Sequence, residues 1–382
     1  MITQGEIDIA LLAADQPVMV ESQQDFQTAM QAWLNRDVIG IDTEFVRERT
    51  WRADLGLVQL SDGKTVWLLD PLQFDSLQPL AELFDSADII KILHAPSEDL
   101  DVLLYNTGVV PRPMFDTQLA CALLGESLQM GYHKTVEWLL GIEIDKGETR
   151  SNWLKRPLRP AQLHYAALDV CLLPMMFRKL RAKLVEKDRL NWLEEDAERL
   201  LDKALLPAEP EQSWKRFNGN GRLDGSSLAL LQALSLWREN EAEERNLARG
   251  FVIKDNALMT IVNKKPRSVA ALSEMDIWHP RAIQRHGQVI ISIIDKVIGE
   301  GISAQAPDML LPKHRPMMKA MRELVNEKAI ELSIDPALLA SRRELESLIL
   351  SPPGEEIPER FNGWRHDIIT TGLLEIKNSL DS

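Results

Sequence analysis

The first half of the chain alternates short apolar runs rich in β-branched residues with segments whose apolar positions recur every three or four residues. "VIGIDTEF" (38–45), "LGLVQLSD" (55–62), "TVWLLD" (65–70) and "IIKILHA" (89–95) predict strands, and Asp62-Gly63-Lys64 predicts a hairpin turn between the second and third. "LQPLAELFDS", "SEDLDVLLYNTG" and "DTQLACALLG" carry helical spacing. This mixture predicts an α/β domain with a mixed sheet, running to about residue 200.

From about residue 160 the strand pattern disappears. "RPAQLHYAALDVCLLPMMFRKLRAKLVEKD" predicts a helix that opens at Arg159-Pro160 and is interrupted near Pro174. "LLPAEPEQS" (205–213), with two prolines among polar residues, predicts a linker, and everything beyond it is helical. That helical half contains a weak repeat: "GFVIKDNALMTIV" (250–262) is similar to "IELSIDPALLASR" (330–342), with Asp255 and Asp335 in matching positions. Two related helical modules of roughly eighty residues account for it, with chance likeness between amphipathic helices as the alternative.

Composition changes this picture little. A chain of 382 residues exceeds what one core usually supports, so two or three domains are expected. A hydrophobic fraction of 45% and a charged fraction of 27% exclude disordered, collagen-like and disulfide-scaffold classes. No run approaches the roughly 18 apolar residues of a membrane span, and the opening "MITQGEIDIALLAADQP" has acids where a signal peptide needs bases, so a cytoplasmic location away from membranes is expected. Cys121 and Cys171, the only cysteines, sit in apolar runs and are expected to be buried. The seven histidines lack zinc-ligand spacing.

The net charge of −14 lies mostly in the first half: residues 1–200 hold 32 acids against 20 bases, and residues 201–382 hold 26 against 24. An acidic domain alone argues against binding phosphates, but the objection weakens if some of those acids hold divalent cations. Asp42 and Glu44, two apart on a predicted strand, share one face. Asp99 follows the fourth strand, in the first turn of a helix that Ser97 is placed to cap. For both sites a solvated strand end or an ordinary first-turn acid is the alternative. Asp116 reads as a helix N-cap. Asp169 is different, because a charge inside "YAALDVCLL" is costly unless a metal ion or a hydrogen-bond network compensates it. Four acids so distributed match the needs of a two-metal phosphoryl-transfer site, with oxygen ligands selecting magnesium or manganese.

In order and spacing, "DTEF", "KILHAPSEDLDVL" and "SNWLKRPLRPAQLHYAALDVCLL" resemble the three exonuclease motifs of the ribonuclease D family, within the DEDD superfamily of 3′–5′ exonucleases. The second half resembles the helicase-and-RNase-D C-terminal (HRDC) domain, present twice. The resemblance implies a ribonuclease-H-like α/β exonuclease domain over residues 1–204 and all-α HRDC modules over 205–300 and 301–382. It also implies that Asp42, Glu44, Asp99 and Asp169 ligate two divalent metal ions and that Tyr165 orients the attacking water or helps deprotonate it. The implied activity is removal of nucleotides from the 3′ ends of transfer RNA precursors and other small structured RNAs, as 5′-mononucleotides, by a monomer. A DNA exonuclease of the same superfamily and a non-catalytic RNA-binding adaptor are the alternatives. Near the predicted strand ends, Phe45 and Gln59 would meet the terminal nucleotide, while His94 would support the site, touch substrate or serve as a core histidine.

DEDD enzymes use either a tyrosine four residues before the last aspartate or a histidine five before it, and this chain has both, Tyr165 and His164. On a regular helix residues four apart lie about 40° apart in projection and residues five apart about 140°, so Tyr165 shares a face with Asp169 and His164 does not. Basic clusters at Lys264-Lys265-Pro266-Arg267, Lys313-His314-Arg315 and Arg342-Arg343 suit a tethering role for the helical modules, although solvated helix surface accounts for any one of them.

Overall fold

The computed structural model of the protein describes residues 2–144, 147–148, 151–306, 309–352 and 357–380. The chain divides into two compact units, one of Met1–Val46, Asp54–Leu206 and Leu310–Ser382, the other of Arg47–Ala53 and Pro207–Met309.

A six-stranded sheet centres the first unit. Its strands are β1 (Val18–Val20), β2 (Val38–Val46), β3 (Asp54–Ser61), β4 (Val66–Leu69), β5 (Ile90–Leu93) and β6 (Met114–Asp116), in the spatial order β1-β4-β3-β2-β5-β6. Strands β2, β3 and β4 pair antiparallel, while β1, β5 and β6 join in parallel, giving the mixed sheet the pattern predicts. The four predicted strands are all present. β1 and β6 escape sequence reading because three residues are too few to show an alternation. The predicted hairpin turn joins β3 to β4: Asp62 Oδ1 accepts from the amides of Lys64 and Thr65, and Gly63 takes the left-handed φ of +82° that glycine adopts without cost.

Around the sheet lie α1 (Gln4–Asp15), α2 (Gln23–Leu34), α3 (Leu80–Asp85), α4 (Ser97–Thr107), α5 (Thr117–Leu123), α6 (Tyr132–Leu140), α7 (Pro160–Cys171), α8 (Leu173–Glu186) and α9 (Leu190–Leu205). The break between α7 and α8 falls at Leu172, with Pro174 in the first turn of α8, as the sequence predicts. Both cysteines are buried thiols. Ser97 does not cap α4. It is the first helical residue, preceded by Pro96 without a side-chain cap, and the preceding turn instead uses Ala95 at a positive φ of 57°. Asp116 does cap α5, and the same carboxylate also accepts from the Ala95 amide, so one side chain pins two turns.

The "SNWLKRPL" segment is a clamp. Arg156 donates from Nε and Nη2 to the two oxygens of buried Asp70 at 2.6 and 2.5 Å, and from Nη2 to the Gly56 carbonyl at 2.7 Å. It thereby seats Trp153 on β3, where a Cβ on Gly56 would lie 2.7 Å from both the Trp153 Cβ and its carbonyl oxygen. Backbone on both sides must then move, so Gly56→Ala is expected to destabilise this unit by about 1–3 kcal/mol. Thermal denaturation measures this, and a wild-type Tm would contradict the packing.

The helices after Leu310, namely those at Arg315–Leu332, Pro336–Leu339, Arg342–Leu350 and Thr371–Leu380, belong to the same unit as the sheet. Arg365, fully buried, donates to both oxygens of Asp196 in α9 at 2.6 and 2.7 Å, and Trp364 stacks on Trp192 with ring centroids 4.3 Å apart. The second unit is helical, with helices at Gly225–Glu244, Arg249–Val252, Asp255–Lys264, Val269–Glu274 and Pro280–Gly299. It incorporates the β2–β3 connection through Ala248 N to Arg49 O (2.8 Å) and Arg249 over the Trp51 ring (4.0 Å). Asp255 and Asp335 each stand at a helix start, in keeping with the repeat. Among the described residues no helix is long and apolar enough to cross a membrane.

Candidate active site

On β2, Gly40, Asp42 and Glu44 alternate onto one face. A Cβ at Gly40 would lie 2.9 Å from Leu173 Cβ and 3.2 Å from the Val170 carbonyl, so the missing side chain lets the end of α7 approach the strand. Asp169, from that end of α7, consequently meets Asp42 and Glu44: carboxylate oxygens from the three residues lie within 4.8 Å of one another. Past Glu44 a register shift in the β2–β3 ladder re-aims the strand at Phe45, which is half-buried.

Asp99 stands in the first turn of α4, where its Oδ1 accepts from the hydroxyl of Thr43, the β2 residue between Asp42 and Glu44. It lies outside the three-carboxylate cluster, yet its charge helps raise the proton affinity of both Asp42 and Glu44.

The electrostatics of the four acids are uniform in sign. Burial raises Asp42 well above the ordinary carboxylate range, reinforced by the charges of Asp99, Asp169 and Glu44. Burial, then Asp169 and Asp99, raises Glu44 to about 9. Burial raises Asp169 to about 7, against a hydrogen bond from Tyr165, and Asp99 to about 6, against the one from Thr43. Four acids that resist ionising together form a site in want of positive charge.

Tyr165 lies one turn before Asp169 on α7, on the face that carries the carboxylate. Burial and the charge of Asp169 raise the phenol, so it keeps its proton. His164 points elsewhere: its side chain is exposed, with Nδ1 3.4 Å from Asp15 Oδ1 of α1. The helical phase therefore separates the two neighbours as the sequence predicts.

The remaining sequence candidates sit deeper than expected for surface contacts. Gln59 is fully buried directly opposite Asp42 in the ladder, and neither atom of its amide has a hydrogen-bond partner among the described residues. His94 spends both ring nitrogens inside the protein, Nδ1 with Thr117 Oγ1 at 2.8 Å and Nε2 with the Met130 carbonyl at 3.0 Å, and burial lowers it to about 4. Sequence reasoning missed His133, at the start of α6, whose Nε2 lies 4.0 Å from Asp169 Oδ1 and whose ring neighbours that of Tyr165. No spacing rule finds it, because α6 and α7 meet only through the tertiary fold.

Comparison with known proteins finds relatives over nearly the whole chain. Residues 17–185 match the family model described as 3′–5′ exonuclease, residues 227–294 match the HRDC domain, and residues 312–373 match the ribonuclease D C-terminal HRDC domain. Ribonuclease D of Pseudomonas paraeruginosa is 36% identical over 356 residues, 92% of this chain and 94% of that protein. Ribonuclease D of Escherichia coli is 34% identical over 346 residues, 88% of this chain and 91% of that protein. The crystal structure of Escherichia coli RNase D, described as an exoribonuclease involved in structured RNA processing, superposes with a TM-score of 0.88 at 31% identity, covering 95% of this chain and 99% of that one. The exonuclease domain and the paired C-terminal modules thus match relatives over most of their length, and the chain belongs to the ribonuclease D family.

Proposed function

We propose that the protein is a metal-dependent 3′–5′ exoribonuclease that trims the 3′ ends of transfer RNA precursors and other small structured RNAs. The observation that carries this reading is the convergence of Asp42, Glu44 and Asp169, with Tyr165 one turn before Asp169 on the same helix. Asp42, Glu44, Asp99 and Asp169 hold two divalent cations. An all-oxygen donor set fits magnesium or manganese, and acids that burial holds above their ordinary range, Asp42 and Glu44 raised further by neighbouring carboxylates, gain most from bound positive charge. When bound, the cations polarise the phosphoryl group and favour ionisation of water.

The chain's own residues do the positioning. Tyr165, protonated, orients the water whose oxygen attacks the terminal phosphorus; the P–O3′ bond breaks, and the last residue leaves as a 5′-mononucleotide. Phe45, past the re-aimed end of β2, stacks on the terminal base. Gln59, buried opposite Asp42, contributes a polar amide to the nucleotide side of the site, and His94 supports the turn before α6. We further assign the exonuclease domain to residues 1–204 and the HRDC modules to 205–300 and 301–382. Their clusters at Lys264–Arg267, Lys313–Arg315 and Arg342-Arg343 tether the RNA body. The protein acts as a monomer in the cytoplasm, without membrane attachment.

Incubation of a 3′-extended transfer RNA precursor with the protein and magnesium tests this reading. Chromatography of the products is expected to yield nucleoside 5′-monophosphates, accumulating with time and absent in chelator. Release of oligonucleotides or of 3′-monophosphates would overturn it.

A further inference from the structure

His133 belongs to none of the roles described so far, yet the fold fixes it beside the reacting centre. The turn ahead of α6 is tied down at the Met130 carbonyl, which is bonded by His94 Nε2 at 3.0 Å and by Gln118 Nε2 at 3.1 Å. The next anchor is Tyr132, whose buried hydroxyl donates to the Leu168 carbonyl of α7 at 2.8 Å, one residue before Asp169. Its ring packs edge-on against both His94 and His133, with centroids 5.8 and 5.9 Å apart. Two helices are thereby locked in register, and His133 comes to lie with its ring 6.5 Å from that of Tyr165 and only 32° out of parallel.

The separation of His133 Nε2 from Asp169 Oδ1, 4.0 Å, is too long for a direct hydrogen bond. One water molecule at about 2.8 Å from each atom spans it. Tyr165 lies one turn before Asp169 on α7, with its ring beside that of His133. A water held at that point would meet imidazole and carboxylate together, beside the Tyr165 ring.

We infer that His133 is a second water-positioning residue of the active site, holding the attacking water jointly with Tyr165 from the opposite helix. This rests on the exonuclease reading above and adds a catalytic residue to it. The histidine that serves the site is then the one brought by α6, rather than His164, which adjoins Tyr165 in sequence.

Two substitutions test it, because His133→Phe keeps a ring against Tyr132 and Tyr165 while removing the nitrogen, and His133→Gln keeps a polar hydrogen-bonding group. With labelled RNA and magnesium, His133→Phe is expected to lower kcat about tenfold, less than the roughly 10²–10⁴-fold of a principal proton-transfer group. KM, the Kd for RNA by fluorescence anisotropy, and Tm are expected to stay at wild-type values. His133→Gln is expected to recover most of the lost kcat. A wild-type kcat for His133→Phe, or a raised KM and Kd with kcat unchanged, would overturn the inference, the second result marking an RNA contact instead. Asp42→Asn run alongside separates the two readings: if it is inactive while His133→Phe is normal, only the role of His133 fails, whereas an active Asp42→Asn removes the metal-site reading on which that role depends.

Discussion

Asp42→Asn is expected to lose RNA hydrolysis by roughly 10³-fold or more while making the metal-free protein more stable, not less. The two effects share one cause. Asp42 sits on β2 beside Glu44 and Asp169, and the charges of Asp99, Asp169 and Glu44 raise the cost of ionising it. With cations bound, that charge is what holds them. Without cations it is an unfavourable term carried by the fold, which the amide removes at nearly constant shape.

The sign with pH follows from the direction of the shifts. Glu44, Asp169 and Asp99 rise from 4.5, 3.8 and 3.8 to about 9, 7 and 6, and Asp42 rises as well. A carboxyl with a raised folded-state pKa contributes its full stabilisation below its unfolded value and loses it as the pH climbs through the folded value. In chelator, wild-type protein therefore forfeits stability between about pH 4 and pH 9, and Asp42→Asn forfeits less. Calorimetry is expected to show a higher Tm for the variant at pH 8, with the gap closing toward pH 4, and magnesium reversing the order by stabilising the wild type alone. A variant that is less stable than wild type in chelator at pH 8 would contradict the electrostatics assigned to the cluster.

Tyr165→Phe is expected to lower kcat by about 10²-fold, and His164→Ala to leave it unchanged. Tyr165 shares a helix face with Asp169, and the phenylalanine variant removes its hydroxyl while keeping the buried ring between Trp153 and His133. His164 is one residue away in sequence but faces Asp15 across an exposed surface. Single-turnover kinetics on RNA measure both variants, and the reverse ranking would move the enzyme to the histidine type of active site.

How far the sequence reaches depends on whether a feature is local. The four strands of several residues, the hairpin at Gly63, the break before Pro174 and the shared face of Tyr165 and Asp169 are all consequences of short-range periodicity and turn chemistry, and all are legible. β1 and β6 are not, because their pairing partners rather than their own three residues define them. The start of α4 is misread because Ser97 has the right chemistry for a cap, while the chain spends its turn two residues earlier, where Ala95 is held by Asp116. At the site, the acids are readable as out-of-place charges and motif positions. Gln59 and His94 are readable as polar residues near strand ends, but only the fold shows that both are internal, one opposite Asp42 and the other bonded at both nitrogens. Nothing in the sequence joins Arg156 to Asp70, Arg365 to Asp196 or His133 to Asp169, since each pair depends on elements that become neighbours only on folding.

The central claim is that this acid cluster removes nucleotides from the 3′ end of RNA with divalent metal. The most direct measurement is the digestion of 5′-labelled RNA bearing either a free or a blocked 3′ end, in magnesium, with matched DNA in parallel. The account predicts a ladder that shortens one nucleotide at a time from the free RNA end only. Shortening of the blocked RNA, or equal digestion of the DNA, would contradict it.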